Sequence, residues 1–179
     1  MYCWVEVKTT GPSPRLDHIM EVAIVATDAD LVAVSALTLI ANPALGRHGA
    51  NWADRLDERS QRVYGQSGLL REIQYASSLA HVDAAMGAIL KPLGDKFICA
   101  GYHPSLHRGF IREQMPGLSA RLSDALFDVV SVRRLIRDLA GRPDLVPELP
   151  RGHRASSDVQ DALTEARVYT SYLSMVPVD

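Results

Sequence analysis

The sequence has only two cysteines, little aromatic content and no long uninterrupted apolar run. Cys3 and Cys99 each lie inside an apolar segment, which favours buried thiols over a disulfide and predicts a reducing, cytoplasmic setting. The longest apolar stretch, residues 22–41, is interrupted by Asp28 and Asp30. Two strands and a turn are therefore expected there rather than a membrane span, and no membrane partner is expected.

The sequence also lacks an excess of charge of either sign. It carries 19 Lys and Arg against 21 Asp and Glu, a formal net charge of -2. A chain without a broad positive field is not expected to bind a large nucleic-acid duplex, although a short oligonucleotide or a nucleotide remains compatible. Its length of 179 residues predicts a single domain, residues 1–179, with a sizeable core.

Apolar spacing predicts three strands first, and then helices that alternate with two more strands. The predicted strands are an opening strand around Trp4 to Lys8, then Asp17 to Thr27, Leu31 to Ala41, Lys96 to Gly101 and Leu126 to Val130. The predicted helices are Trp52 to Val63, a short piece at 69–73, Val82 to Leu93, His107 to Met115, Ser131 to Ala140, and Ser156 to Leu173. This order predicts an α/β fold with a mixed central sheet flanked by helices, whose first three strands form an antiparallel meander.

Two boundary and packing predictions concern the last helix. Ser156 or Ser157 is the expected N-cap, because a serine hydroxyl can accept a backbone N–H of the first turn. Its buried face is predicted to contain Val159, Ala162, Leu163, Ala166, Tyr169 and Leu173. The pair Tyr169 and Tyr172 is expected in the core or in a dimer contact.

The opening strand carries the most informative side chains. Residues two apart on an extended chain share a face, so Glu6 and Lys8 point one way while Val5 and Val7 point the other. Charged groups on one face at a strand end are typical of a functional site. The sequence therefore predicts a site around Glu6 and Lys8.

Several short segments form a family pattern when they are taken in chain order. They are Trp4-Val5-Glu6 with Thr10-Gly11, Ile19-Met20-Glu21-Val22-Ala23 with Thr27 to Leu31, Ser67-Gly68-Leu69, Ala100-Gly101 with Arg108 and Phe110-Ile111, Asp128-Val129 with Ser131, and His153-Arg154-Ala155 with Asp158. In this order and spacing the chain resembles the oligoribonucleases, DEDDh 3′-to-5′ exonucleases with an RNase H-like fold. The resemblance covers nearly the whole chain.

The resemblance implies a homodimer that hydrolyses short single-stranded RNA. In this family four carboxylates hold two Mg²⁺ or Mn²⁺ ions, and a histidine deprotonates the attacking water. His153 matches that general base and Asp158 matches one of the metal-binding acids. Thr10 and His103 match positions near the substrate, and Lys8 is a further candidate for substrate binding.

The match fails at three of the metal-binding positions. Glu6 stands where the family has Asp, Lys8 where it has Glu, and His107 where it has Asp. Four carboxylates carry a charge of about -4, whereas these residues with Asp158 carry about -1, too little to hold two divalent ions close together. A weak or inactive nuclease is therefore expected.

Two arrangements of this altered site remain open. In one, Lys8 forms an internal salt bridge with Glu6 and Asp158 in place of a metal. In the other, Glu6, His107 and Asp158 bind a single Mn²⁺, Zn²⁺ or Mg²⁺ ion, with His153 nearby. His153 is otherwise a loop histidine without a role, and His103 and His107 are expected to be solvated at the start of a helix.

Three functional hypotheses follow. The first is a degenerate oligoribonuclease-like protein that binds short RNA, a nucleotide or a protein partner through the old cleft. The second is a divergent exonuclease that cleaves short oligonucleotides with a single ion, and the third is an interaction protein without a nucleic-acid role. Two basic runs, Arg133-Arg134 with Arg137 and Arg108 with Arg112, are expected to be solvated or ion-paired rather than bound to phosphate.

Overall fold

The computed structural model describes residues 1–46, 49, 51–150 and 152–175. Within these ranges five strands form one sheet in the spatial order β3-β2-β1-β4-β5. The strands are β1 Tyr2–Thr9, β2 Ile19–Thr27, β3 Ala33–Ile40, β4 Phe97–Gly101 and β5 Leu122–Asp128. β1, β2 and β3 form the predicted antiparallel meander, whereas β4 pairs in parallel with β1 and β5 in parallel with β4. The predicted mixed α/β sheet is confirmed.

The described residues also form helices on both faces of this sheet. They are α1 Glu58–Gln66, α2 Leu69–Ile73, α3 Leu79–Leu90, α4 Pro104–Gln114, α5 Pro116–Ser119, α6 Val129–Arg134 and α7 Ala155–Met175. A π-helical turn, Leu135–Leu139, continues α6. Among the described helices, none combines the length and the apolar character that a membrane crossing needs.

Alternation along β1 directs its side chains into two separate cores. Cys3, Val5 and Val7 pack in the core on the side of α3, α4 and α5, whereas Trp4 packs in the core beneath α7. Glu6 and Lys8 share the direction of Trp4 and therefore face α7. The predicted separation of Glu6 and Lys8 from Val5 and Val7 is confirmed, and it places the two charged groups next to the last helix.

The first predicted helix begins too early. Trp52–Arg55 is an isolated 3-10 turn, and α1 starts only at Glu58. The physical reason is a cap, because the Asp57 carboxylate accepts the backbone N–H of Ser60 at 2.6 Å. The predicted helix that started at Trp52 is therefore wrong over its first six residues.

The last strand, β5, lies earlier in the chain than predicted. β5 starts at Leu122 and ends at Asp128, so Val130 belongs to α6 and not to the predicted strand. The Asp128 side chain accepts the N–H of Val130 at 2.9 Å and so caps α6. A helix cap again decides the boundary.

The predicted cap of α7 is also wrong. Neither Ser156 nor Ser157 precedes the helix, which already starts at Ala155. The N–H of Ala155 donates to the buried Glu21 carboxylate at 2.6 Å, so β2 supplies the first cap from outside the helix. The predicted buried face is confirmed except for Leu173, which is 51% exposed near the end of the helix.

The two cysteines are free thiols buried in the sheet core, as predicted. Cys3 and Cys99 are register partners in the parallel pair of β1 and β4. Burial raises the pKa of the Cys99 thiol to about 12. Both thiols therefore remain protonated at neutral pH and act as small apolar side chains.

Gly101 provides a test of how closely β4 approaches the strand that carries Glu6. Its φ is +146°, and a Cβ there would lie 2.8 Å from the Val5 carbonyl oxygen. Gly101→Ala is expected to lower the free energy of unfolding by about 2 kcal/mol, measured by urea denaturation.

Gly65→Ala in α1 is the matched control, because no described heavy atom outside the neighbouring helix backbone lies within 4 Å of the added methyl group. This change is expected to leave stability unaltered or raise it by up to about 1 kcal/mol. An equal decrease in the free energy of unfolding of both variants would contradict the close approach at Gly101.

Candidate active-site cleft

Lys8 lies at the centre of a buried cluster of charged groups. Its ammonium Nζ donates to Glu6 Oε1 at 2.7 Å and to Asp158 Oδ2 at 2.5 Å. The Lys8 side chain is only 9% exposed. The prediction that Lys8 pairs with both carboxylates is therefore confirmed, and the contact joins β1 to α7 across 150 residues of sequence.

His107 lies on the opposite side of Glu6 from Lys8. Its Nε2 is 3.0 Å from Glu6 Oε2, and its side chain is 8% exposed. The expectation that His107 is solvated is wrong, because α4 starts at Pro104 and its second turn faces β1. The other ring nitrogen, Nδ1, is buried and has no hydrogen-bond partner among the described residues.

Burial and the neighbouring charges shift the pKa values of Glu6 and Lys8 in opposite directions, and the combined effect of the charges and hydrogen bonds is larger. Burial raises the pKa of the Glu6 carboxyl, but the hydrogen bond from His107 and the charges of His107 and Lys8 lower it below its usual value. Burial lowers the pKa of the Lys8 ammonium, but the charges of Glu6 and Asp158 raise it above its usual value. Glu6 and Lys8 are therefore both ionised at neutral pH.

A second ionic cluster, missed in the sequence, fixes the start of α7. The Arg154 guanidinium donates from Nε to Glu21 at 2.9 Å and from both terminal nitrogens to Glu72 at 3.0 Å. Glu21 is fully buried and is the register partner of Lys8 on the neighbouring strand. This clamp positions His153 and Asp158, which lie on either side of Arg154 in the chain. The sequence signal was the His153-Arg154-Ala155 segment, but its arginine had no assigned partner.

The remaining predicted site residues lie in different places. His103 and His153 are exposed, have positive φ angles of 50° and 53°, and line one cleft. Thr10 instead lies in the connection between β1 and β2, where its hydroxyl accepts the N–H of His18 at 2.9 Å. Thr10 is not among the described residues that line the cleft.

The cleft has a volume of about 540 Å³ and extends from Asp158 along α7. Its polar and charged lining comprises Arg59, Tyr102, His103, Arg133, Glu148, His153, Asp158, Asp161 and Glu165. Burial and the charges of Asp158 and Glu165 raise the pKa of the Asp161 carboxyl. A pocket of this size accommodates a ligand the size of a nucleotide.

The arginines of the two basic runs have different surroundings: Arg112 and Arg134 are exposed, whereas three others make specific contacts. Arg133 pairs with Glu165 and Arg137 with Asp138, as expected for ion pairs. Arg108 is different, because it is 8% exposed and donates to the Ser119 hydroxyl at 2.8 Å. The expectation that Arg108 is solvated or ion-paired is therefore wrong.

Tyr64 on α1 is a further residue near Lys8 that the sequence did not identify. Burial raises the pKa of its hydroxyl, the charge of Lys8 lowers it and the charge of Glu6 raises it. Burial has the largest effect, and the pKa of the Tyr64 hydroxyl lies above its usual value. A lone tyrosine in a helix gives no signal of this kind in the sequence.

The sheet order β3-β2-β1-β4-β5 with helices on both faces is that of an RNase H-like fold, and the charged corner of Glu6, Lys8, His107 and Asp158 lies where β1 meets α4 and α7. Exonuclease I from Methylocaldum szegediense superposes with a TM-score of 0.66 at 16% identity, covering 97% of this chain and 41% of that one. The zinc-bound form of Escherichia coli exonuclease I with single-stranded DNA gives 0.61 at 18% identity, covering 95% of this chain and 40% of that one. The chain thus spans about two fifths of the exonuclease I chains.

Within this class the chain is similar to the oligoribonucleases. The oligoribonuclease of Tropheryma whipplei is 29% identical over 174 residues, which cover 94% of this chain and 91% of that protein. No family model matches the chain. The predicted resemblance to oligoribonucleases and the predicted fold are confirmed.

The side chains in the charged corner do not fit a two-metal centre. The Lys8 ammonium occupies the space between Glu6 and Asp158 and uses one oxygen of each. A divalent ion there would have to displace a cation that is already hydrogen-bonded to both carboxylates. In the described part of the chain, no group of three or more His, Cys, Asp or Glu side chains is arranged to hold a metal ion.

Lys8→Met removes the shared cation and leaves Glu6 and Asp158 facing each other. We expect the free energy of unfolding to fall by about 3 kcal/mol at pH 7, measured by urea denaturation. Because the pKa of Glu6 is lowered in the folded state, its contribution is present above about pH 4.5 and is lost as the pH falls further. The raised pKa of Lys8 makes its contribution present below about pH 10.5 and lost as the pH rises further.

The difference in the free energy of unfolding between wild type and Lys8→Met is therefore expected to be largest between these two pH values. It is expected to become smaller at lower and at higher pH. Lys96→Met serves as a control, because Lys96 is exposed and, among the described residues, donates only to the Ala120 carbonyl. A difference that does not depend on pH would contradict the assigned ion pairs.

Arg154→Met tests the clamp at the start of α7. It leaves the Glu21 carboxylate buried without its guanidinium, so we expect a loss of about 3 kcal/mol in a thermal or urea unfolding measurement. Arg142→Met is the matched control, since the Arg142–Asp144 pair is solvent-exposed and is expected to contribute at most about 1 kcal/mol. Similar losses in the two variants would argue against the clamp.

Proposed function

We propose that this chain is an oligoribonuclease-like protein that binds a short single-stranded oligonucleotide or a nucleotide but hydrolyses it weakly or not at all. The observation that supports the loss of activity is the Lys8 ammonium held between Glu6 and Asp158. The cleft that adjoins Asp158 supports retained binding, because its volume and its exposed His103 and His153 suit a nucleotide. A homodimer in the cytoplasm is part of this proposal.

The substrate class rests on the relatives. The similar proteins are oligoribonucleases, and E. coli exonuclease I is bound to single-stranded DNA in its zinc form. Two features of this chain separate it from a two-metal enzyme, namely the cation of Lys8 and the imidazole of His107 beside Glu6.

The decisive experiment measures cleavage and binding separately. A labelled dinucleotide is incubated with the protein and with Mg²⁺, Mn²⁺ or Zn²⁺ in turn, and binding is followed in parallel by fluorescence anisotropy. We expect saturable binding without conversion to mononucleotides above the rate in buffer. Conversion that His153→Ala abolishes would favour the divergent exonuclease with a single ion, and absence of any binding would favour an interaction protein without a nucleic-acid role.

A variant with a restored acidic site tests metal binding directly. The triple variant Glu6→Asp, Lys8→Glu and His107→Asp replaces the cation and the imidazole by carboxylates. We expect it to bind Mn²⁺ with measurable heat in a calorimetric titration, whereas the wild type gives none at the same concentration. Heat from the wild type would support the single ion predicted at Glu6, His107 and Asp158.

A further inference from the structure

The outer edge of β3 is open along most of its length. β3 is the first strand in the order β3-β2-β1-β4-β5, and no described strand pairs with its outer side. Just beyond its end, Ala41 forms an isolated parallel bridge with Ser77, which also covers the edge at Ile40. Near its start, a register shift leaves Val34 without a partner in β2. The regular open edge therefore comprises residues 35–39.

Alternation along the strand decides which backbone groups face the open side. The N–H of Ala41 points into the sheet and donates to the Met20 carbonyl at 2.8 Å. In an antiparallel strand the hydrogen-bonding direction alternates from residue to residue, so Ala36 and Thr38 direct their N–H and C=O groups outward. No described backbone group outside the sheet pairs with them.

One face of the same segment is also uncovered. Ala36 and Thr38 are the register partners of Val25 and Ala23, which pack in the core beneath α7. Because α7 packs on β1 and β2, Ala36 and Thr38 lie beyond its reach and are exposed. A further strand can therefore join β3 without displacing a helix.

The two edge strands of the sheet differ in charge. β3 has the sequence AVSALTLI, which contains no charged residue and no proline. β5, the other edge strand, carries Asp124 and Asp128. Charged side chains and prolines on an edge strand hinder its pairing with another chain. Of the two edges, β3 is therefore the one suited to pairing.

We propose that β3 pairs in antiparallel fashion with β3 of a second copy of this chain. The inference rests on the proposed function only in that it names the surface of the proposed homodimer. A two-fold axis at Leu37 places Ala36 opposite Thr38 of the partner subunit, and Thr38 opposite the partner subunit's Ala36. All these residues direct their backbone groups outward, so each pair exchanges two hydrogen bonds. The five-stranded sheets of the two copies then form one continuous sheet.

The bounds of the open edge favour a second copy over a foreign strand. Val34 at one end and the Ala41–Ser77 bridge at the other leave a short segment that is centred on Leu37. Two identical segments match in length about this centre, whereas a longer strand would meet Ser77. The segment is uncharged, so two copies bring no like charges together. Because the shared edge is short, we expect a dissociation constant in the micromolar range.

The test adds like charges to the contact and then balances them. The double variant Ala36→Lys with Thr38→Lys places lysine opposite lysine in both pairs. The dissociation constant of the dimer, measured by sedimentation velocity, is expected to rise at least about tenfold. Ala36→Glu with Thr38→Glu is expected to have the same effect. An equimolar mixture of the two double variants is expected to return to within about threefold of the wild-type value, because each lysine then faces a glutamate.

Gln160→Lys with Thr164→Lys is the matched control. It adds the same charge at two exposed positions of α7 and is expected to keep the wild-type dissociation constant. Both lysine variants are expected to bind the labelled dinucleotide equally, since no β3 residue is among the described residues that line the cleft. Thermal unfolding verifies that each variant is folded.

Cross-linking provides a second measurement that needs no charged variant. Ala36→Cys and Thr38→Cys are mixed and oxidised with copper–phenanthroline. Opposite residues of a hydrogen-bonded pair have Cα atoms about 5.5 Å apart, which a disulfide can span. Each residue and its own copy are about 8 Å apart, which is too far. The mixture is therefore expected to cross-link faster than either variant alone, and the wild type, with its two buried thiols, is expected not to react.

The outcomes separate the β3 contact from the proposed function. A wild-type dimer that neither double variant weakens, or a cysteine mixture that cross-links no faster than its components, would overturn the β3 contact and leave the homodimer standing. A wild type that is monomeric at every concentration would overturn both the β3 contact and the homodimer, but not oligonucleotide binding. A dimer of the expected behaviour that binds no dinucleotide would overturn the proposed binding and support the β3 contact.

Discussion

The ammonium of Lys8 is the contact on which this corner of the protein depends. A buried lysine is unfavourable alone, and two neighbouring carboxylates are unfavourable together, but the three groups satisfy one another. The result is a bond between the first strand and the last helix. It also means that Glu6 and Asp158 already have a cation, so this corner can fold around its own side chain rather than around a metal ion.

The last helix is held by ionic contacts at three levels. Arg154 binds Glu21 at its start, Asp158 binds Lys8 one turn further on, and Glu165 binds Arg133 two turns beyond that. The apolar residues of α7 pack on the sheet between these contacts. Because the same helix forms one wall of the cleft, the contacts that stabilise the fold also determine where the side chains of the cleft lie.

The likeness to oligoribonucleases describes the architecture better than the chemistry. Identity with the Tropheryma whipplei protein is 29% and extends over 94% of this chain. Glu6, Lys8 and His107 meet at one point in space. Function depends on such a point rather than on the fold, so a small number of substitutions can separate ancestry from activity.

The sequence by itself determined the order of strands and helices and the shared direction of Glu6 and Lys8, whereas it offered the pairing of Lys8 with Glu6 and Asp158 as one of two arrangements. These features follow from local periodicity, from motif spacing and from charge, all of which can be read along the chain. Tertiary structure alone decided the cap of α7 by Glu21, the burial of His107 and Arg108, and the Arg133–Glu165 contact. Each of these joins residues far apart in sequence, and their energies depend on burial, which local patterns do not specify.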